Sequence, residues 1–155
     1  MPIGLVRIQD ANELHFLTFS CYQRRNYLHT DSSKDLVVKA LERMSQSYGF
    51  AMDGFVVMPN HVHLLLGEPR NGTLARAMQA IKVSVAKRSP YRPFWQARYF
   101  DLNVYTDRKR IEKLNYIHWN PVKKGLVEKP EDWKWSSFRR EVVSCSPPSR
   151  PAQEP

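Results

Sequence analysis

Cysteine is nearly absent from this chain. Two occur in 155 residues, Cys21 and Cys145, far apart and in no CxxC spacing. That excludes a disulfide-stapled scaffold and a zinc ribbon, and it fits a reducing compartment. Long apolar runs are also missing. No stretch approaches the roughly 20 residues that span a bilayer, and residues 1–7 carry no signal-peptide core. The sequence thus places the chain in the cytoplasm, without a membrane partner. Negative charge is scarce: 15 acidic residues face 24 basic ones, for a formal charge of +9. Such a balance favours an acidic partner, and nucleic acid is the commonest. The length suits one domain with a core of its own, and no internal repeat is visible.

What is present is concentrated in Met58-Pro59-Asn60-His61-Val62-His63-Leu64-Leu65-Leu66. The run reads as a buried strand. Side chains alternate faces along a strand, so His61 and His63 share one face while Val62, Leu64 and Leu66 enter a core. Two imidazoles side by side can hold one metal ion.

Around this segment the periodicities alternate. Residues 13–22 read as a first strand, with Leu14, Phe16, Leu17, Phe19 and Tyr22. Asp31-Ser32-Ser33 offers caps for a first helix, which Gly49 ends. Residues 50–58 and 61–66 form a hairpin about Pro59-Asn60. Gly72-Thr73 opens a second helix with an apolar stripe of Leu74, Ala77, Met78, Ile81 and Val85, ended by Pro90 and Pro93. Residues 99–105 form a fourth strand, and Thr106-Asp107 caps a third helix that Pro121 closes. The order matches the ferredoxin-like split βαβ pattern plus one helix: an α+β fold with a mostly antiparallel sheet. Two helices cover one face; His61, His63 and the third helix take the other. The domain spans 1–140, and the proline-rich residues 141–155 read as a disordered tail.

On the third helix Ile111, Leu114 and His118 form the expected inward stripe. Glu112, Tyr116 and Asn120 recur every four residues and share another face. The histidines and the Asn120 carbonyl oxygen could hold a divalent cation, with Tyr116 as nucleophile. Glu112 reads as a surface partner for Arg108 or Lys109, and His118 as a packing residue. Basic residues form a candidate nucleic-acid track: Arg24 and Arg25 after the first strand; Arg76, Lys82, Lys87, Arg88, Arg92 and Arg98 in or after the second helix; Arg108, Lys109, Arg110, Lys113, Lys123 and Lys124 around the third. Phe94, Trp95, Trp119, Trp133 and Trp135 could stack on unpaired bases, although Trp133 and Trp135 suit anchoring of the C-terminal extension better.

Three blocks in this order resemble the HUH single-tyrosine transposases, and among them the REP-associated tyrosine transposases: Val57-Met58-Pro59-Asn60-His61-Val62-His63-Leu64-Leu65, Phe94-Trp95-Gln96, and Tyr116-Ile117-His118-Trp119-Asn120-Pro121-Val122-Lys123-Lys124-Gly125-Leu126-Val127. Trp133-Lys134-Trp135-Ser136-Ser137 matches the family ending. The resemblance implies cleavage and rejoining of single-stranded DNA beside palindromic hairpins through a 5′-phosphotyrosine. It assigns His61, His63 and Asn120 to a Mg2+ or Mn2+ site and Tyr116 to the attack, in a monomer or homodimer. Two other readings compete: a non-catalytic nucleic-acid-binding module on the same fold, and a small metal hydrolase without a covalent intermediate.

Overall fold

The computed structural model describes residues 14–139; Cys145 and the tail expected over 141–155 lie outside them. Four strands and three long helices follow in the expected order: β1 Leu14–Ser20, α1 Asp31–Tyr48, β2 Met52–Val57, β3 His61–Gly67, α2 Leu74–Ala86, β4 Phe100–Val104 and α3 Asp107–Lys123. The sheet order is β2-β3-β1-β4, and every neighbouring pair is antiparallel. This is the split βαβ arrangement with an added helix. No helix among the described residues is long and apolar enough to cross a membrane.

The alternation of β1 and β3 divides the core in two. Leu17, Phe19, Val62, Leu64 and Leu66 pack under α1 and α2 with Val37, Leu41, Met78 and Ile81. Phe16 and Leu65 face the other way, with Val56, Met58, Val104 and Ile117 of α3. A strand of period two thus feeds two apolar layers, and the histidines lie in the second.

Three helix boundaries differ from expectation. The cap of α1 is Thr30, whose Oγ1 accepts from Ser33 N at 3.1 Å. Asp31 then falls in the first turn, where its charge complements the helix dipole. Helix α2 stops at Ala86, before Pro90 and Pro93. Helix α3 continues through Pro121 to Lys123. Proline there removes one backbone bond, but only in the last turn, where few bonds remain to lose. Its ring is buried, its carbonyl accepts from Leu126 N at 2.9 Å, and Asn120 O still accepts from Lys124 N at 3.0 Å. Asn120 therefore stays helical.

The inward face of α3 is also corrected. Leu114, Ile117 and Pro121 make the stripe, whereas Ile111 is exposed. The first turns of α3 are held by charge instead: Arg110 Nε and Nη2 donate to the two carboxylate oxygens of Asp53 on β2, at 2.7 and 3.1 Å. His118 packs as expected, with Nε2 2.7 Å from Ser137 Oγ.

The aromatic extension closes the open edge of β2. Val57 N donates to Trp135 O at 2.8 Å and Ser137 N to Phe55 O at 2.9 Å. Trp133 Nε1 donates to Val57 O, Trp135 Nε1 to Asp35, and the Lys34 ammonium lies 4.4 Å from the Trp135 ring. Both tryptophans are anchors, and the covered edge resists pairing with another chain.

At the far end of β1, buried His15 bridges two carboxylates: Nδ1 lies 2.9 Å from Asp101 Oδ1, and Nε2 meets Glu68. Burial lowers its pKa, but the bonds and charges of Glu68 and Asp101 outweigh that and leave it raised. A raised folded-state pKa gives stability that is complete below the unfolded value of 6.5 and lost as pH rises through the folded value. The melting temperature of the wild type relative to His15→Gln should therefore shrink from pH 6 to alkaline pH. Parallel melting curves across that range would remove the bridge from the account.

Candidate active site

In the β1–β3 pair, Thr18 lies opposite His63 and Ser20 opposite His61. All four side chains therefore share the face covered by α3. The imidazole centroids of His61 and His63 are 4.7 Å apart, and the Tyr116 ring sits 5.2 Å from that of His63. Phe16 stacks on His63 at 5.5 Å and meets Tyr116 edge-on at 6.0 Å. It forms an apolar floor that fixes both rings. Tyr116 is 42 % exposed, so its hydroxyl is reachable from solvent.

Each histidine is oriented from behind. His61 Nδ1 lies 2.6 Å from Asn60 Oδ1, and His63 Nδ1 lies 2.8 Å from Thr18 Oγ1. With Nδ1–H donating, each Nε2 carries a free lone pair, the usual way a second residue sets a ligand's tautomer. Among the described residues, His63 Nε2 and Asn120 Oδ1 are buried without a hydrogen-bond partner. Leaving two such atoms orphaned is costly, and both an imidazole nitrogen and an amide oxygen are donors that a divalent cation accepts. Asn120 faces His61 closely enough to favour its protonation, though not in hydrogen-bonding geometry.

The electrostatics agree. Burial, then the charges of Arg24 and Lys124, push His61 down to about 4 despite Asn120. Burial, then His61, Arg24, Lys124 and Lys113, push His63 to about 3. Both rings are neutral at pH 7, as metal ligands must be. The donor set is two imidazoles and an amide oxygen; among the described residues no cluster of three His, Cys, Asp or Glu offers another. Nitrogen and oxygen donors with open positions suit a divalent cation such as Mg2+ or Mn2+.

The basic residues divide by layer. Arg24, Lys113 and Lys124 act on the histidines, and Lys113 Nζ lies 5.0 Å from the Phe16 ring. Arg25, Arg108 and Lys123 are exposed on the adjoining loop and on α3. Lys82, Lys87 and Arg88 sit on or just after α2, across the sheet from the histidines, and Arg98 is exposed before β4. The Lys82 ammonium is engaged with Gln96 O at 3.1 Å, and burial lowers its pKa. Glu112 pairs with Lys109 at 3.5 Å, an exposed contact as expected. Cys21 is buried, which pushes its thiol up to about 12. Of the five stacking candidates only Trp119 is exposed; Phe94 and Trp133 are buried, and the Trp95 and Trp135 indoles are bound internally. Sequence reasoning missed Phe100, which is 54 % exposed and edge-on to Phe16 beside the site. It also missed Thr18, Asn60 and Asp53. Thr18 was within reach, since pairing β1 with β3 places it beside His63.

Gly54 lets α3 approach. A Cβ there would lie 2.6 Å from Leu114 Cδ2 and 3.7 Å from Ile117 Cδ1. Gly54→Ala asks only for a swing of Leu114. Gly54→Val should overpack the joint by about 1–3 kcal/mol and displace Tyr116 with its helix. We expect a lower melting temperature for Gly54→Val than for Gly54→Ala, measured by thermal denaturation. Equal melting temperatures would show that the joint yields to the larger side chain.

A split βαβ sheet with a His-hydrophobic-His strand and a helix-borne tyrosine beside it defines the HUH single-tyrosine class. The chain belongs to the Transposase IS200 like family, whose model matches residues 10–120. A Haemophilus influenzae protein described as a REP-associated tyrosine transposase is 29 % identical over 144 residues, covering 83 % of this chain and 81 % of that protein. The REP-associated tyrosine transposase of Escherichia coli is 26 % identical over 129 residues, covering 83 % and 78 %. In fold, the chain is similar to a REP-associated tyrosine transposase solved bound to a REP hairpin, with a TM-score of 0.75, 21 % identity, and coverage of 92 % of this chain and 87 % of that one.

Proposed function

We propose that this protein cleaves and rejoins single-stranded DNA beside palindromic, REP-like hairpins, through a 5′-phosphotyrosine on Tyr116. The observation that carries this reading is the exposed phenol of Tyr116 beside His63, whose Nε2 is orphaned with Asn120 Oδ1. The names of the two curated relatives, and the hairpin held by the structural neighbour, support the substrate class.

His61, His63 and Asn120 would hold Mg2+ or Mn2+, which when bound supplies positive charge to a phosphoryl oxygen. Tyr116 Oη attacks phosphorus and loses its proton. The P–O3′ bond breaks, and the leaving oxygen takes up a proton to become a 3′-hydroxyl. The phosphoryl bond energy is kept in the tyrosyl ester, so a second 3′-hydroxyl can reverse the step without a nucleotide cofactor. Asn60 and Thr18 keep the imidazoles turned to the site. Arg25, Lys113, Lys123, Lys124 and Arg108 bind phosphates around it, and Arg98 extends the track, so affinity falls with salt; Lys82, Lys87 and Arg88 lie on the opposite layer and stand apart from it. Trp119 and Phe100 offer faces for unpaired bases. The contact of Tyr116 with His63 of the same chain supports a site built within one protomer.

The test is a covalent-adduct assay. Labelled single-stranded hairpin DNA, taken from palindromes flanking the gene, is incubated with protein and Mg2+ or Mn2+ and run under denaturing conditions. A shifted band that a chelator removes supports the reading. Salt-sensitive hairpin binding without an adduct would favour the binding module, and cleavage without an adduct the hydrolase.

A further inference from the structure

The loop after β1 adopts a backbone that its residues do not favour. Gln23 and Arg24 both take left-handed conformations, with φ of 53° and 56°. Neither is glycine or asparagine, and such residues cluster where surrounding structure imposes them for a purpose. Here the imposition is visible. Tyr22 N donates to Phe94 O at 2.8 Å, Gln23 N to Gln96 Oε1 at 2.6 Å, and Gln96 N to Ser20 O at 2.9 Å. Arg24 N donates to Cys21 O at 2.9 Å, and Asn60 Nδ2 lies 3.4 Å from Arg24 O.

The result is a chain that folds back over its own strand. Arg24 Nη1 donates to Ser20 Oγ at 3.0 Å, and Ser20 stands directly opposite His61. The guanidinium is therefore held beside the histidine pair, on the face that carries Tyr116, while remaining exposed. No carboxylate pairs with it among the described residues. Asn60 ties the two parts together, since it bonds both His61 Nδ1 and the Arg24 carbonyl. An unpaired cation held by strained backbone on the face that carries Tyr116 is a site awaiting an anion.

We propose that Arg24 is a catalytic residue: its guanidinium binds a non-bridging oxygen of the scissile phosphate and stabilises the negative charge that builds as Tyr116 attacks. This rests on the proposed reaction. With one Nη1–H bond on Ser20, the remaining donors form an oriented fork that matches a phosphate edge. Arginine keeps its proton throughout, so the bonds made and broken are unchanged.

The experiment compares wild type, Arg24→Ala, Arg24→Lys and Ser20→Ala in single-turnover adduct formation at saturating protein and Mn2+. Each is measured on hairpin DNA with a normal scissile phosphate and with a methylphosphonate there, which lacks one anionic oxygen. Removing a preorganised donor to developing charge should slow Arg24→Ala by about 100- to 1000-fold at saturation. The salt slope of hairpin binding should change by no more than about one phosphate contact. Arg24→Lys should recover only part of the rate, because an ammonium lacks the fork. Ser20→Ala, which removes only a hydroxyl, should be slowed less. On methylphosphonate the wild-type advantage over Arg24→Ala should shrink toward unity. Three results would overturn the role: a wild-type rate for Arg24→Ala at saturation, a loss that disappears at higher protein concentration, or an undiminished ratio on methylphosphonate. No adduct from the wild type would overturn the underlying reaction and this role with it.

Discussion

Tyr116→Phe should abolish the covalent DNA adduct while hairpin binding stays near wild type. The substitution removes one oxygen and leaves the ring. That ring makes edge contacts with Phe16 and His63, and both survive in phenylalanine. Tyr116 lies on an exposed part of α3, so its hydroxyl contributes little to folding. The chemistry has no such margin: without the attacking oxygen no phosphotyrosine forms, and adduct formation should fall by about 10⁴-fold or more. The measurement pairs denaturing electrophoresis with a binding titration on the same hairpin. Persistence of the adduct would point to another phenol, with highly exposed Tyr105 the first to test. Loss of binding together with the adduct would mean that the hydroxyl holds DNA and need not attack it.

The placement of the candidate site was legible in sequence where it is written in local spacing. The His61-Val62-His63 alternation predicts a shared face because strand geometry has period two, and the Tyr116-Asn120 spacing predicts a shared turn because helices have period 3.6. Both predictions depend on neighbours in the chain. The split βαβ order follows for the same reason, from alternating periods and capping threonines. What stayed hidden depends on residues distant in sequence. Asp53 and Arg110 join β2 to α3 across 57 positions, and nothing beside either announces the other. Gly54 reads as an ordinary weak point in a strand until Leu114 is placed over it. The expected stripe Ile111, Leu114, His118 followed a helical period, yet the helix meets the sheet only where charge and packing bring it down, so Ile111 is left outside. Pro121 predicts a helix end, yet the helix runs on to Lys123, because the cost of a proline depends on how much helix follows it. Phe94 and Trp95 differ from expectation for a similar reason: an aromatic ring serves a core as readily as a base, and only exposure separates these uses.

His63→Ala should weaken cation binding and, through it, adduct formation, more than any change behind the ligands does. His63 Nε2 is one of the two orphaned atoms, so its removal deletes a donor outright. Thr18→Val leaves that donor in place but removes the bond to His63 Nδ1 that sets tautomer and ring angle. Changes to such supporting partners typically cost 10- to 100-fold in affinity, so Thr18→Val should fall within about that range and His63→Ala beyond it. Titration with Mn2+, followed by calorimetry without DNA, separates binding from turnover. Asn120 tests the charge of the site. Asn120→Ala should raise the Mn2+ concentration required, whereas Asn120→Asp should bind the cation more tightly yet cleave more slowly, because the added negative charge faces the phosphate. The pH dependence has a definite sign. Burial and nearby cations hold His61 at about 4 and His63 at about 3, so protons compete for the ligand nitrogens only well below neutrality. Mn2+ affinity should therefore hold as pH falls past 6.5, where an ordinary histidine would be lost, and decline as pH approaches about 4. A midpoint near 6.5 would mean that the imidazoles are solvated as free histidines are, and an unchanged titration in His63→Ala would place the cation elsewhere.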